Sequence, residues 1–268
     1  MVYLSLKCSI FITLLTICVF LGFGYIYSFI EKRNGMYMYS TFGNKGILFT
    51  GIIGTTVHEL GHLFMCLIFH HKISSFQLFN LKGYKYEETL GYVSHKYNNR
   101  NLYEKAGNFF IGIGPMISGT LFIMISFKLL LPNIYDNLNI SRYLNELSSI
   151  NIESMIFLLI SLSKNLLISL FNIKNFNSIN FYIFIYLMFS VSSHISLSKK
   201  DFKNSFVGIF SLFLIIFMIC LFSFIFNINH LLLIFIKLII YLIFFLSIGL
   251  IFSIISLLIS YIFYIIKR

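Results

Sequence analysis

Long uninterrupted apolar stretches recur along this chain, and several reach the 18 or so residues that a helix needs to cross the hydrocarbon core of a bilayer. They lie near residues 8–30, 46–69, 107–131, 154–173, 179–197, 205–226 and 231–266. Only 11% of the residues are charged and 58% are apolar, against about 25% charged in an ordinary soluble domain. Such a chain cannot cover its core with polar surface in water. A soluble enzyme, a nucleic-acid-binding domain and a disordered chain are excluded. The expected fold is all-α: a polytopic helical transmembrane bundle with about 6–8 transmembrane helices, forming one membrane-embedded domain over residues 1–268. The expected location is an integral, multi-pass position in a bacterial cell membrane, with the lipid bilayer as its standing partner.

Charge adds little to this. Lys and Arg number 20 against 9 acids, for a net charge of +11. Basic loops at the headgroups account for that excess, and no basic patch interleaved with aromatics suggests nucleic acid as a partner. The four cysteines all sit in apolar runs without a Cys-x-x-Cys pair, so they read as small buried hydrophobes. A basic residue followed by an apolar run makes the N-terminus look like a signal peptide. Cleavage favours small residues of the Ala-x-Ala kind, and Ala106 is the only alanine in the chain, so residues 8–30 are read as a first span. Between the runs, residues 31–45 read as a short basic loop, and 71–105 and 132–153 as polar stretches. The last apolar run is long enough for one tilted helix or two tight segments.

Chemistry is concentrated in the second run, which contains Gly-Thr-Thr-Val-His58-Glu59-Leu60-Gly61-His62. On a helix, two histidines four residues apart differ by about 40° in azimuth and one turn in rise. Both rings can therefore face one metal ion, and neutral imidazole suits zinc. Glu59 between them is placed to take a proton from water beside the metal. Ionisable groups inside a membrane span are costly to bury and point to function. A third ligand must come from elsewhere. Of the two aspartates, Asp136 reads as a solvated loop residue, and Asp201 follows the polar patch Ser190-Val-Ser-Ser-His194-Ile-Ser-Leu-Ser-Lys-Lys. That patch interrupts an apolar run too short for a full crossing, so the backbone is expected to unwind there inside the protein. Asp201 and His194 are the two candidates for the third ligand, with an N-cap role as the plain alternative for Asp201.

A second cluster, Gly112, Gly114, Pro115 and Gly119, would let one helix approach its neighbour closely, while Pro115 frees a backbone carbonyl for a polar group. Asn108, Gly114 and Pro115 are candidate substrate-binding residues. His70 and His71 end the second run at the headgroup level, and His95 falls in a loop. No role is assigned to His230. Lys164 and Lys237, inside apolar stretches, read as snorkelling side chains.

His58-Glu59-Leu60-Gly61-His62 in a transmembrane helix, with Ala106-Gly-Asn108-Phe-Phe-Ile-Gly112-Ile-Gly114-Pro115 after it, resembles the site-2 protease family of intramembrane zinc metalloproteases. The likeness covers roughly residues 46–131 and 179–204. In that family an Asn-Pro stretch ending in Leu-Asp-Gly supplies the last zinc ligand. Here Ser193 to Asp201 has similar spacing without those prolines or the Leu-Asp-Gly, and His194 stays open beside Asp201. The resemblance implies Zn2+ as cofactor, a membrane protein or peptide as substrate, and hydrolysis of a peptide bond in or near a transmembrane segment. Two rival readings keep the metal and drop proteolysis: a non-catalytic zinc-binding scaffold or regulator, and a metal transporter.

Overall fold

A computed structural model describes residues 2–80, 90–138, 152–226 and 229–268. Nearly all of them are helical. In chain order the elements are α1 (Val2–Phe42), α2 (Asn44–Ile68), β1 (Lys72–Gln77), β2 (Tyr92–Lys96), α3 (Leu102–Gly112), α4 (Gly114–Leu130), α5 (Pro132–Asn137) and α6 (Ile152–Leu170). A 3-10 turn (Ile173–Asn177), α7 (Ile179–Ser192), α8 (Lys199–Ile225) and α9 (Asn229–Lys267) follow. The expected all-α bundle is what forms.

Among the described residues, four helices are long and apolar enough to cross a membrane: α1, α2, α8 and the Lys237–Lys267 part of α9. The pair α3–α4, bent by 58° across Ile113, makes a fifth if taken as one broken span. Two further apolar helices, Leu159–Leu170 and Ile179–Ser192, are shorter. Each apolar run of the sequence therefore has its helix among the described residues, but four or five pass on length, fewer than the six to eight counted from apolarity. The last run is one continuous helix.

Distribution of side chains by size and polarity matches lipid as solvent. Large apolar groups face outward, as with Phe157 at 75% and Leu129 at 72% exposure, while Ser5, Ser9, Ser205, Ser211 and Ser223 are fully buried. In a bilayer, apolar contact with lipid is as good as contact with protein, so small and weakly polar residues collect at helix interfaces. On α1 the hydroxyls of Thr13 and Thr16 each donate to the carbonyl four residues back, which satisfies them without leaving the helix. This is a multi-pass helical membrane protein.

Residues 31–45 are not a loop. α1 continues through them to Phe42, and Gly43 alone separates it from α2. Gly43 has φ 63°, a left-handed conformation that costs glycine little and permits the sharp reversal. The polar tail of α1 stays helical because it packs on the end of α9: Tyr37 lies against Tyr261 and Tyr264, and Phe42 against Phe263. Residues 71–105 also hold structure. β1 and β2 form an antiparallel hairpin pairing Phe76 with Val93 and Ile73 with His95, with a register irregularity between Ile73 and Ser75. The stretch 132–153 begins as α5, and its residues from 139 to 151 lie outside the described ones.

Small residues set the close contacts that place the site. α2 meets α4 where Gly61 faces Gly114: a Cβ built on Gly61 would lie 2.4 Å from the Gly114 carbonyl oxygen. α2 meets α7 at Gly54, whose Cβ would lie 2.3 Å from the Ser190 carbonyl oxygen. α3 meets α8 at Gly112 and Gly208, which face Ser205 and Phe109. α4 and α7 are thereby drawn against α2 on either side of His58, and α3 and α8 against each other.

Candidate metal centre

His58 and His62 lie one turn apart on α2, and their rings meet edge-on with centroids 5.0 Å apart. Asp201, in the first turn of α8, completes the group: one ligand atom from each of His58, His62 and Asp201 lies within 4.8 Å of the others. His62 Nε2 stands 3.4 Å from Asp201 Oδ1. That distance is the edge of a tetrahedron with metal–ligand bonds of about 2.0–2.1 Å, which comes to about 3.3–3.4 Å. His62 and Asp201 are buried, and His58 is half-buried. These three residues could hold a metal ion.

Each ring is oriented by a backbone carbonyl. His58 Nδ1 is 2.7 Å from the His194 carbonyl oxygen, and His62 Nδ1 is 2.8 Å from that of Ile111. A carbonyl only accepts, so both Nδ1 atoms carry the proton and both Nε2 atoms keep a lone pair for a metal. Both carbonyls sit at breaks in helices. Ile111 is at the end of α3, and the residue four positions on is Pro115, which has no N–H to offer it. His194 lies in the non-helical stretch 193–198 between α7 and α8. The expectation that Pro115 frees a carbonyl for a polar group is met, and the polar group is His62.

Asp201 is held as firmly as the rings. Ser198 caps α8: its hydroxyl accepts from the Asp201 N–H at 3.2 Å, and Asp201 Oδ2 accepts from the Ser198 N–H at 2.8 Å. This capping box uses one carboxylate oxygen and leaves Oδ1 to face His62. The capping role and the ligand role, alternatives in the sequence, occur together in one side chain.

His194, the other candidate, does not join the group. Its Nδ1 lies 3.3 Å from Glu31 Oε1 and its Nε2 lies 3.2 Å from Thr50 Oγ1. Both ring nitrogens are engaged away from the triad, and only its carbonyl serves the site, through His58.

A cavity of about 260 Å³ opens beside the three ligand atoms. His58, Glu59 and His62 line it from α2, Tyr92, Val93 and His95 from β2, and Ser198, Lys200, Asp201 and Asn204 from the start of α8. Glu59 is only 7% exposed, and Gly91 leaves room for it: a Cβ there would lie 2.8 Å from Glu59 Cγ. Asn108, Gly114 and Pro115 are not among the lining residues. Asn108 is buried, with Nδ2 donating to the Lys105 carbonyl at 3.3 Å. Gly114 makes the contact with Gly61. In this structure the three serve packing and ring orientation.

Residues 71 and 95, assigned to the interface and to a loop, are brought together by the hairpin. His71 Nε2 is 2.7 Å from the Glu104 carbonyl oxygen, and its Nδ1 is 3.0 Å from His95 Nδ1. The carbonyl fixes the proton on His71 Nε2, so His95 Nδ1–H is the donor and His95 keeps its lone pair on Nε2. Partial burial lowers the pKa of both below 6.5, that of His95 to about 4, helped by His71 and Lys200 nearby. Both rings are therefore neutral near pH 7. The sequence carried a signal for this pair only in the alternation that places residues 93 and 95 on one face of a strand.

No protein-family model matches this chain, and no curated protein or solved structure matches it either.

Proposed function

We propose that this chain is an intramembrane zinc metalloprotease that hydrolyses a peptide bond in or near a membrane-spanning segment of a membrane protein or peptide. One observation carries the proposal: His58, His62 and Asp201 converge within 4.8 Å on the wall of a cavity that Glu59 also lines. Three protein ligands with an adjoining open volume is the pattern of catalytic zinc, whereas structural zinc is closed by four. Two neutral imidazoles and one carboxylate oxygen suit that ion better than magnesium or calcium, which favour all-oxygen shells. Zinc held there supplies Lewis acidity, polarising a peptide carbonyl and lowering the pKa of water to about 7.

The chain's own groups do the rest. Glu59 takes the proton from the attacking water as the new C–O bond forms, then delivers it to the amide nitrogen as the C–N bond breaks. His58 and His62 are kept in the ligating tautomer by their carbonyl partners. Asp201 holds its free oxygen toward His62 because the cap immobilises the other. A substrate helix must unwind locally before its carbonyl can enter, since helical carbonyls are already hydrogen-bonded.

The test is metal content and turnover on the same purified material. Wild type is expected to hold one zinc per chain and to cleave a transmembrane peptide library, and Glu59→Gln to hold the same zinc and lose cleavage. Stoichiometric zinc with no turnover in wild type is the outcome expected of a scaffold and would overturn the proposal.

A further inference from the structure

α1 contributes nothing to the cavity beside the triad, yet two of its polar residues, Glu31 and Asn34, converge on the segment that links α7 to α8. They border a second cavity of about 220 Å³, lined by Glu31, Lys32, Asn34, Thr50, Ser193 and His194 among others. We infer that Glu31 is a positioning residue of the metal centre, acting through His194 on His58. The inference rests on the metal reading above and deepens it.

The connection is a short series of directed contacts. The Glu31 carboxylate only accepts, so His194 Nδ1–H donates to it across 3.3 Å. The other ring nitrogen, Nε2, lies 3.2 Å from the Thr50 hydroxyl, within hydrogen-bond distance. Ring orientation is fixed at both nitrogens, and with it the backbone of residue 194. The carbonyl of that same residue accepts from His58 Nδ1–H at 2.7 Å. Ser196, two residues further on, lies beside the Glu31 carboxylate as well. Asn34, one turn along α1, donates from Nδ2 to Ser193 Oγ at 3.3 Å and to Ser256 Oγ at 3.0 Å.

A non-helical segment has no ladder of its own to keep it in place. Here residues 193, 194 and 196 are gripped from outside, mainly by α1, and the same segment leads directly to Ser198 and Asp201. One end of it sets the tautomer of His58 and the other carries a ligand. Gly54 closes the geometry, since a Cβ there would lie 2.3 Å from His194 Cδ2: α2 is flush against the ring, which has one place to sit. Outer partners of metal-binding histidines are generally worth about 10–100-fold in metal affinity.

The experiment measures zinc affinity by chelator competition in detergent, and the visible spectrum of the cobalt-substituted protein. Glu31→Ala is expected to weaken zinc binding about tenfold and to shift the cobalt bands. Glu31→Gln, which keeps an acceptor for His194 Nδ1–H, is expected to restore most of the affinity. Thr50→Val reads the same ring from its other nitrogen at nearly constant volume and is expected to act in the same direction. In a His58→Ala background, Glu31→Ala is expected to have no further effect, because the path runs through His58. Wild-type affinity in both Glu31→Ala and Thr50→Val, or an equal loss with His58 absent, would overturn the inference. Failure of wild type itself to bind zinc would instead refute the metal reading, so the two are separable.

Discussion

Gly61 lies inside the His-Glu-x-x-His motif without touching a metal, and the structure assigns it a specific load. Its missing side chain lets α2 press against α4 at the turn that carries His62. A Cβ at this position would stand 2.4 Å from the Gly114 carbonyl oxygen and 2.4 Å from Ser118 Oγ. Contacts below 3.0 Å are essentially never seen for real Cβ atoms, and the obstacle on one side is backbone, so Gly61→Ala must part the helices by at least about 0.6 Å. Overpacking of this kind costs about 1–3 kcal/mol. The same movement strains the bond from the Ser118 hydroxyl to the Val57 carbonyl, 2.8 Å long, worth about 0.6 kcal/mol on average in a membrane. His62 moves with α2 while Asp201 and the Ile111 carbonyl stay on α8 and α3. Metal sites tolerate about 0.2 Å in ligand distance, so a displacement several times larger is expected to lower zinc affinity at least tenfold. Chelator competition and thermal unfolding in detergent check this together. Gly22→Ala is the control: nothing lies within 4 Å of its Cβ, and the substitution is expected to be neutral or to stabilise α1 by up to about 1 kcal/mol. A Gly61→Ala protein with the zinc affinity and melting temperature of wild type would refute the close-approach argument.

Ser198→Ala removes the N-cap of α8 and is expected to cost about 1 kcal/mol of stability; because Asp201 then loses one of its two restraints, zinc titration should show weaker binding as well, and unchanged binding would mean the cap does not orient the ligand. The hairpin should also respond to pH. His71 and His95 are lowered in the folded state, His95 to about 4, chiefly by burial, with His71, Lys200 and Asp201 acting on His95 and Glu104 on His71. The folded hairpin then binds fewer protons than the unfolded chain below pH 6.5, so its stability is fully present above that value and is lost as pH falls toward 4. Amide protection factors, which correct for the intrinsic pH dependence of exchange, should fall across residues 72–77 and 92–96 over that window and stay constant between pH 7 and 8.

What the sequence made legible follows from period and composition. Apolar length located the long helices among the described residues, and the four-residue spacing of His58 and His62 located two members of the candidate triad, because both are local properties of one helix. Continuity of α1 was hidden because residues 31–42 are polar enough to read as loop; they remain helical through aromatic contacts with α9, more than 200 residues away in the chain. The choice between Asp201 and His194 could not be made locally either, since it depends on Glu31 and Thr50 engaging the His194 ring. His95 could not be read as a cavity residue because its partner, His71, stands just ahead of the other strand of the hairpin, 24 residues away in the chain. Pro115 was read correctly as the source of a free carbonyl, but its recipient required knowing that α2 and α4 touch at Gly61 and Gly114.

These cases share one physical cause. In a regular helix each carbonyl is already engaged in the ladder, and both acceptors that orient the histidines of this candidate metal site stand where helices stop. Two of the chain's helix breaks serve the site, one at Ile113, ahead of Pro115, and one after Ser192, and each places a carbonyl on one imidazole. Several groups near those breaks keep them from moving. Glycines bring the neighbouring backbones to contact distance, Ser198 restarts the helix with Asp201 inside its cap, and α1 sends Glu31 and Asn34 to the non-helical segment between α7 and α8. The polar residues of α1 and the candidate metal ligands of α2 and α8 thus belong to the same structural problem, although no side chain of α1 lines the cavity.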